Sequence, residues 1–417
     1  MLIQEHVDIT QYPTHPRHYP DGTILIKGDL HANPLNVLYF LLQESVVTLP
    51  KEDFDTFIAC YKKFSATHTP VLTEEERYQT LMQMAGIVQK LQKGDGNTIV
   101  ILLGDTIGDR DENDLTMLKI DDMFDQLDLD VTIVWSNHDS RFLDVYYAYA
   151  IDPNTPIPAH TPATACFTPH ENPNAQYRSV YNLFNLIDYA QRVHHHDLIV
   201  EVQTILNESY FPRLRFISCT ASENSPFTDI ATHAAARFES IEFLAFILRE
   251  HEGKEDVMYD DSTPQALAES CERINTAMRD ILNEYILTDV PLDPGWLHIS
   301  EDEDHCLFDF IWKRYDVPQQ QPNPNLYPQQ PLRFLHGHDP NSYYRNSLSL
   351  DSLLGKINDP RFYTGTYTLD CSQPPITPSL RPPGSPVLSS TATKRGRGYE
   401  TAPSLLSPAS QKKPKLD

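Results

Sequence analysis

Within its first 140 residues the chain repeats one arrangement three times: an apolar run of strand length, a polar turn carrying an acid, an amide or an imidazole, and a helical pattern. Thr23 to Lys27 leads into Gly28-Asp29-Leu30-His31, followed by Leu35, Val37, Leu38, Phe40, Leu41 and Leu42 near helical spacing. Thr98 to Leu103 leads into Gly104-Asp105-Thr106-Ile107-Gly108-Asp109-Arg110, and Val131 to Trp135 into Ser136-Asn137-His138-Asp139. Strands alternating with helices require a mostly parallel sheet. Ligands bind such sheets at the carboxyl ends of the strands, so the three turns are expected to converge. A single polar turn is usually an ordinary helix cap; several in order on strand ends point to a site.

Totals exclude some classes of protein. The net charge of −25 disfavours nucleic-acid binding by the main body. From Ile376 to Asp417, seven Lys/Arg and two Asp/Glu give +5, which leaves about −30 on the rest. Six cysteines with no CxxC pair suit a reducing, cytoplasmic-type compartment. The longest apolar stretch, 241–248, is too short to cross a bilayer, so no membrane partner is expected. Met1 to Pro20 lacks a basic and an apolar region of the Sec type and reads as an irregular lead-in.

The expected organisation is α/β. Residues 1–150 form the first half of a core, with a helical insertion at about 50–93 whose second helix opens on a Thr73–Glu76 capping box. Residues 151–293 read as a mainly helical cap, with helical patterns at 176–207, 229–251 and 264–287 and a strand at 214–219. Residues 294–375 return to the core and close it with a strand at 366–371. The Pro/Ser/Thr-rich stretch 376–417 is expected to be a disordered basic tail.

Asp29, His31, Asp105, Asn137, His298 and His338 supply carboxylate, amide and imidazole groups suited to Mn²⁺, with Fe or Zn²⁺ as alternatives. A bridging carboxylate such as Asp105 can join two cations about 3.5–4 Å apart, an arrangement that polarises phosphoryl oxygens and activates water. Arg110 offers a fork matched to phosphate oxygens. His138 can protonate a leaving oxygen while Asp109 fixes its tautomer. His194-His195-His196-Asp197 is better explained as a solvated face, because adjacent helical histidines point different ways.

These motifs resemble, in order, the GDxH, GDxxDR, GNH[ED] and GH signatures of the calcineurin-like metallophosphoesterases, in their phosphoprotein phosphatase branch. Phe310-Ile311-Trp312-Lys313-Arg314 is similar to the segment that carries a second phosphate-binding arginine, here Arg314. Tyr367 to Cys371 is similar to the family's terminal strand. The resemblance implies a layered αββα core and two divalent metal ions. One would be held by Asp29, His31 and Asp105, the other by Asp105, Asn137, His338 and a further histidine. His298 is taken for the last, with His305, or a core site without it, as alternatives. The longer GDxxxDR turn, Ser136 in place of Gly and Ala32 after His31 depart from the pattern. The long turn, helical cap and basic tail resemble the Wip-type effector phosphatases that Legionella injects into host cells.

The expected activity is hydrolysis of phosphotyrosine or phosphoserine/threonine in a phosphoprotein. The alternatives are a nucleotide or diadenosine polyphosphate hydrolase, and an inactive phosphatase-fold binding module. The tail reads as an address for a nuclear-import or secretion receptor. A Cys-dependent phosphatase is excluded, since no cysteine has an arginine six positions later.

Overall fold

A computed structural model describes residues 1–64, 72–109, 113–151, 178–221, 227–236, 238–250, 252–288, 308–311, 332–338, 343–344, 347–356 and 360–372. Its strands are β1 (Leu2–Asp8), β2 (Ile24–Lys27), β3 (Val47–Thr48), β4 (Gln92–Lys93), β5 (Ile99–Leu102), β6 (Asp130–Val134), β7 (Leu214–Arg215), β8 (Ser218–Ala221), β9 (Thr228–Thr232), β10 (Leu332–His336), β11 (Tyr343–Tyr344), β12 (Ser347–Ser349) and β13 (Thr364–Ser372). The helices are α1 (Pro34–Gln43), α2 (Lys51–Lys62), α3 (Glu74–Val88), α4 (Asp114–Gln126), α5 (Asn137–Ile151), α6 (Arg178–His194), α7 (Leu198–Ile205), α8 (Phe211–Arg213), α9 (Phe238–Glu250) and α10 (Pro264–Thr288).

Two sheets carry the core. The first has the order β1-β13-β2-β5-β6-β7, parallel from β2 through β7. The second has the order β11-β12-β10-β9-β8, parallel across β12, β10 and β9. Period-two alternation in the parallel strands sorts their side chains between two apolar cores. Ile24, Ile26, Ile101, Leu103 and Val134 of the first sheet meet Ala231, Leu335 and Leu350 of the second in a thin inner cluster. Leu25, Val100, Leu102, Val131 and Ile133 face the other way, into the large core shared with the helices. This is the expected αββα layering.

The expected helix at 51–64 forms as α2 and the one at 74–93 as α3, which stops at Val88 because Gln92–Lys93 pairs with β3; Thr73 and Glu76 cap α3 reciprocally. Three local expectations are corrected. The lead-in is not irregular: β1 pairs antiparallel with β13 along its whole length. The helical pattern read over 229–251 begins only at Phe238, because Thr228–Thr232 is a buried strand between β8 and β10. The single strand read at 214–219 is two, β7 and β8, placed in different sheets. Residues 151–293 thus lend strands to both sheets as well as helices. Among the described residues, no helix is long and apolar enough to cross a membrane. The chain divides into two units, Met1–Ile376 and Thr377–Asp417, and the expected tail lies outside the described residues.

Candidate active site

Asp29 follows β2, Asp105 follows β5, Asn137 follows β6, His233 follows β9 and His338 follows β10. Every one of these strands belongs to a parallel run, so their carboxyl ends open on one edge of the layered sheets. Backbone bonds tie the turns together: Leu30 N donates to Gly104 O (3.3 Å), Ala32 N to Asp105 O (2.6 Å) and Gly337 N to His233 O (2.8 Å). His31, Asp105 and His338 take φ of 55°, 52° and 60°, a region few non-glycine residues occupy. Each costs on the order of 1–3 kcal/mol, which the surrounding hydrogen bonds offset. The glycines give room. A Cβ on Gly337 would lie 1.6 Å from Asp29 Oδ1, and one on Gly104 2.8 Å from His233 Nδ1.

Asp29, His31, Asp105, Asp109, Asn137, His138 and His338 are all brought together and buried, as the motifs imply. His298, Arg110 and Arg314 lie outside the described residues. A third imidazole is nonetheless present: His233, fully buried, sets Nε2 2.8 Å from Asn137 Oδ1 and 3.5 Å from Asp105 Oδ1. Its Nδ1 lies 2.7 Å from the Leu103 carbonyl; with the proton on Nδ1, Nε2 would keep its lone pair for a ligand. The sequence signal was a His at the end of a short strand followed by small residues, Ala234 to Ala236.

Among the described residues, ligand atoms gather within 4.8 Å in three buried groups: Asp29, His31 and Asp351; Asp29, Asp105 and His233; His31, Asp105 and Asp109. Among the described residues, Asp29 Oδ1, Asp105 Oδ1 and both ring nitrogens of His31 are buried with no hydrogen-bond partner. Orphaned acceptors of this kind are costly unless a cation or water completes them. The donor set therefore fits divalent cations. Burial, with the Asp351 and Asp105 carboxylates alongside, pushes the Asp29 carboxyl well above the usual range. Burial acts the same way on Asp105, but His138 and His233 outweigh it and hold that carboxyl low. For His31, burial is outweighed by Asp109 and Asp351, which raise it.

The remaining residues organise this cluster. Asp109 sets Oδ2 3.4 Å from His31 Nδ1 and Oδ1 3.5 Å from His138 Nε2. The extra residue in this turn is absorbed at Gly108, where φ is 77° and a Cβ would lie 2.4 Å from the His138 carbonyl oxygen. His138 Nδ1 faces the Gly108 carbonyl at 3.3 Å, which orients the ring. Ser136 and Asp139 cap α5 reciprocally: Asp139 N donates to Ser136 Oγ (3.1 Å) and Ser136 N to Asp139 Oδ2 (3.1 Å). That is what serine does here in place of glycine. Asp139 Oδ1 also accepts from Thr106 N and Ile107 N, each at 3.1 Å, and so fastens the Asp105 turn to the Asn137 turn.

A family model described as the WipA-like phosphatase domain matches residues 99–356, more than half of the chain. The chain belongs to this family. The matched range runs from β5 past Asp351 and includes Asp105, Asn137, His233 and His338; Asp29 and His31 join them by geometry. No curated protein matches the chain. Among solved structures, the phosphatase domain from the Legionella effector WipB is similar in fold, with a TM-score of 0.58 at 18% identity. The match covers 77% of this chain and 100% of that one. The WipA-like core is thus a phosphatase fold.

Proposed function

We propose that this WipA-like phosphatase hydrolyses phosphomonoesters of phosphoproteins, at phosphotyrosine or phosphoserine/threonine, with two divalent cations, Mn²⁺ foremost. The observation that carries the reading is the convergence of Asp29, His31, Asp105, Asn137, His233 and His338 on one strand-end cluster, in which Asp29 Oδ1, Asp105 Oδ1 and the His31 ring nitrogens are buried with no hydrogen-bond partner among the described residues. Asp29, His31 and Asp105 would hold one cation; Asp105, Asn137, His233 and His338 the other. Bound there, two cations supply Lewis acidity to the phosphoryl oxygens and lower the pKa of a water.

The protein's own groups do the rest. Arg110, next to Asp109 in sequence, and Arg314 are assigned to the phosphoryl oxygens, where a planar fork holds two at once. His138, oriented through Gly108 and Asp109, gives its proton to the leaving oxygen of the substrate side chain. Asp139, buried and bonded to Ser136, Thr106 and Ile107, keeps the two catalytic turns in register. Hydrolysis of matched phosphotyrosyl and phosphothreonyl peptides tests the reading. Turnover is expected to vanish in excess chelator and return with Mn²⁺; full turnover by metal-free protein would sink it. The ratio of the two peptides' kcat/KM decides the substrate class.

A further inference from the structure

The loop after β12 brings a further carboxylate to the site, and none of the sequence motifs contains it. Leu350 N donates to the His336 carbonyl at 2.7 Å. Gly28 is pressed so close that a Cβ there would sit 2.1 Å from Leu350 O. The loop is thus locked against the Gly28-Asp29 turn. Asp351 follows at once, 8% exposed, with Oδ1 3.5 Å from His31 Nε2. That separation is too long for a hydrogen bond and short enough for two groups to share a cation. Oδ1 also accepts from Leu353 N at 3.0 Å, a turn that fixes the carboxylate in place.

We propose that Asp351 is a ligand of the cation held by Asp29 and His31, which makes that position richer in oxygen than its neighbour. The proposal rests on the two-cation reading above. Its ground is geometric: one ligand atom each from Asp29, His31 and Asp351 lies within 4.8 Å of the others, all buried. Asp29 Oδ1 and both nitrogens of His31 lack hydrogen-bond partners there. The first position then has the Asp29 and Asp351 carboxylates and the His31 imidazole, besides any share of Asp105, against one carboxylate, one amide and two imidazoles at the second. Carboxylate-rich sites suit Mn²⁺ and imidazole-rich ones suit Zn²⁺ or Fe, so the two positions differ in metal preference. The competing roles are structural. Asp351 could orient His31, or balance the charge of Lys27, which is buried with its Nζ 4.9 Å from the Tyr367 ring centroid and no hydrogen-bond partner.

Asp351→Asn separates a ligand role from an orienting one, and loss of one ion with the other kept separates it from charge balance with Lys27, which would act on both. The amide keeps an acceptor for Leu353 N and for His31, so an orienting role survives the change, whereas the negative charge a cation needs does not. Asp351→Ala removes both. Mn²⁺ titration of the full-length, metal-stripped protein, followed calorimetrically and by electron paramagnetic resonance of free Mn²⁺, counts the sites directly. The wild-type chain is expected to bind two ions. Both variants are expected to keep one ion at wild-type affinity and to bind the other at least ~10-fold more weakly, the scale of losses at metal-site partners. The weakening should be smaller for Zn²⁺ than for Mn²⁺. Circular dichroism and the retained ion show that the variants are folded. Two ions bound at wild-type affinity by Asp351→Asn would overturn the proposal, whether or not Asp351→Ala is impaired. A wild-type chain that binds no Mn²⁺ overturns the two-cation reading itself, a result distinguishable from failure of the Asp351 assignment alone.

Discussion

His138 and Asp105 share the site but should fail in different ways when altered. His138 stands apart from the three groups whose donor atoms gather within 4.8 Å, whereas Asp105 belongs to two of them. His138→Ala should therefore retain its cations and lose kcat by roughly 10²–10⁴-fold, the usual cost of a general acid. Asp105→Asn should lose cations first, since it removes the charge shared between positions. Elemental analysis of dialysed protein beside steady-state kinetics reads both; wild-type kcat and metal content in both variants would refute the assignment. Gly337→Ala is a subtler probe. Its methyl would fall 1.6 Å from Asp29 Oδ1, and a side-chain tip can swing away. The variant should fold with a near-native melting temperature but bind less metal. Most of the site was legible because Asp29, His31, Asp105 and Asn137 each end an apolar run in a turn. His233 was not, and the reason is physical. Its strand contains Thr228, Asp229 and Thr232, all buried, and this looks like no strand in isolation. Asp229 is tolerated because Arg333, 104 residues later, meets it with Nε at 2.6 Å and Nη2 at 2.8 Å.

Helix caps show the same division between local and distant information. Thr73 and Glu76 make an exposed capping box, with Glu76 N donating to Thr73 Oγ1 at 3.2 Å. Their pattern is readable from four residues. Asn33 caps α1 by accepting from Leu35 N and Asn36 N at 3.0 and 3.1 Å, but its amide also donates to Tyr61 Oη at 2.5 Å and to the Gly355 carbonyl. The second half of that role depends on chain far away and left no local trace. Thr73→Ala should cost about 1 kcal/mol, the typical worth of an exposed cap. Asn33→Ala should cost about 2 kcal/mol or more, since it also strands buried groups. Chemical-denaturation midpoints decide it, and equal losses would contradict the distinction. The edge strand β1 was missed for a related reason. Three of its seven residues are exposed and none is fully buried, and its partner β13 lies more than 350 residues along the chain.

At the scale of the whole molecule, the core is closed before the basic segment begins. Glu44, buried, accepts from Tyr19 Oη and Tyr367 Oη, each at 2.6 Å, and pairs with Arg17 at 2.5 Å. Arg17 in turn reaches Glu5 at 2.5 Å. This network binds the N-terminal segment and the last strand to α1, and β13 ends at Ser372. Among the described residues no ligand candidate lies beyond Asp351, the family match stops at residue 356, and the unit boundary falls after Ile376. Catalysis should therefore not need residues 377–417. Their composition argues for another use. Lys394-Arg395-Gly396-Arg397 and Lys412-Lys413-Pro414-Lys415 bunch positive charge on a chain whose net charge is −25. Bunched charge is what a receptor for a basic address reads, whereas a solubilising segment has no use for clustering. Ser385-Pro386 and Ser407-Pro408 flank the clusters, and a phosphate at either would remove about 1.5–2 units of local positive charge. A chain lacking 377–417 should hydrolyse phosphopeptides with unchanged kcat/KM while its distribution in a eukaryotic cell shifts. Fluorescent fusions of the full-length and shortened chains, compared with a form in which both clusters are changed to glutamine, test this. The glutamine form should behave like the deletion if charge is what is read. Identical distributions of all three would remove the address and leave a solvated segment.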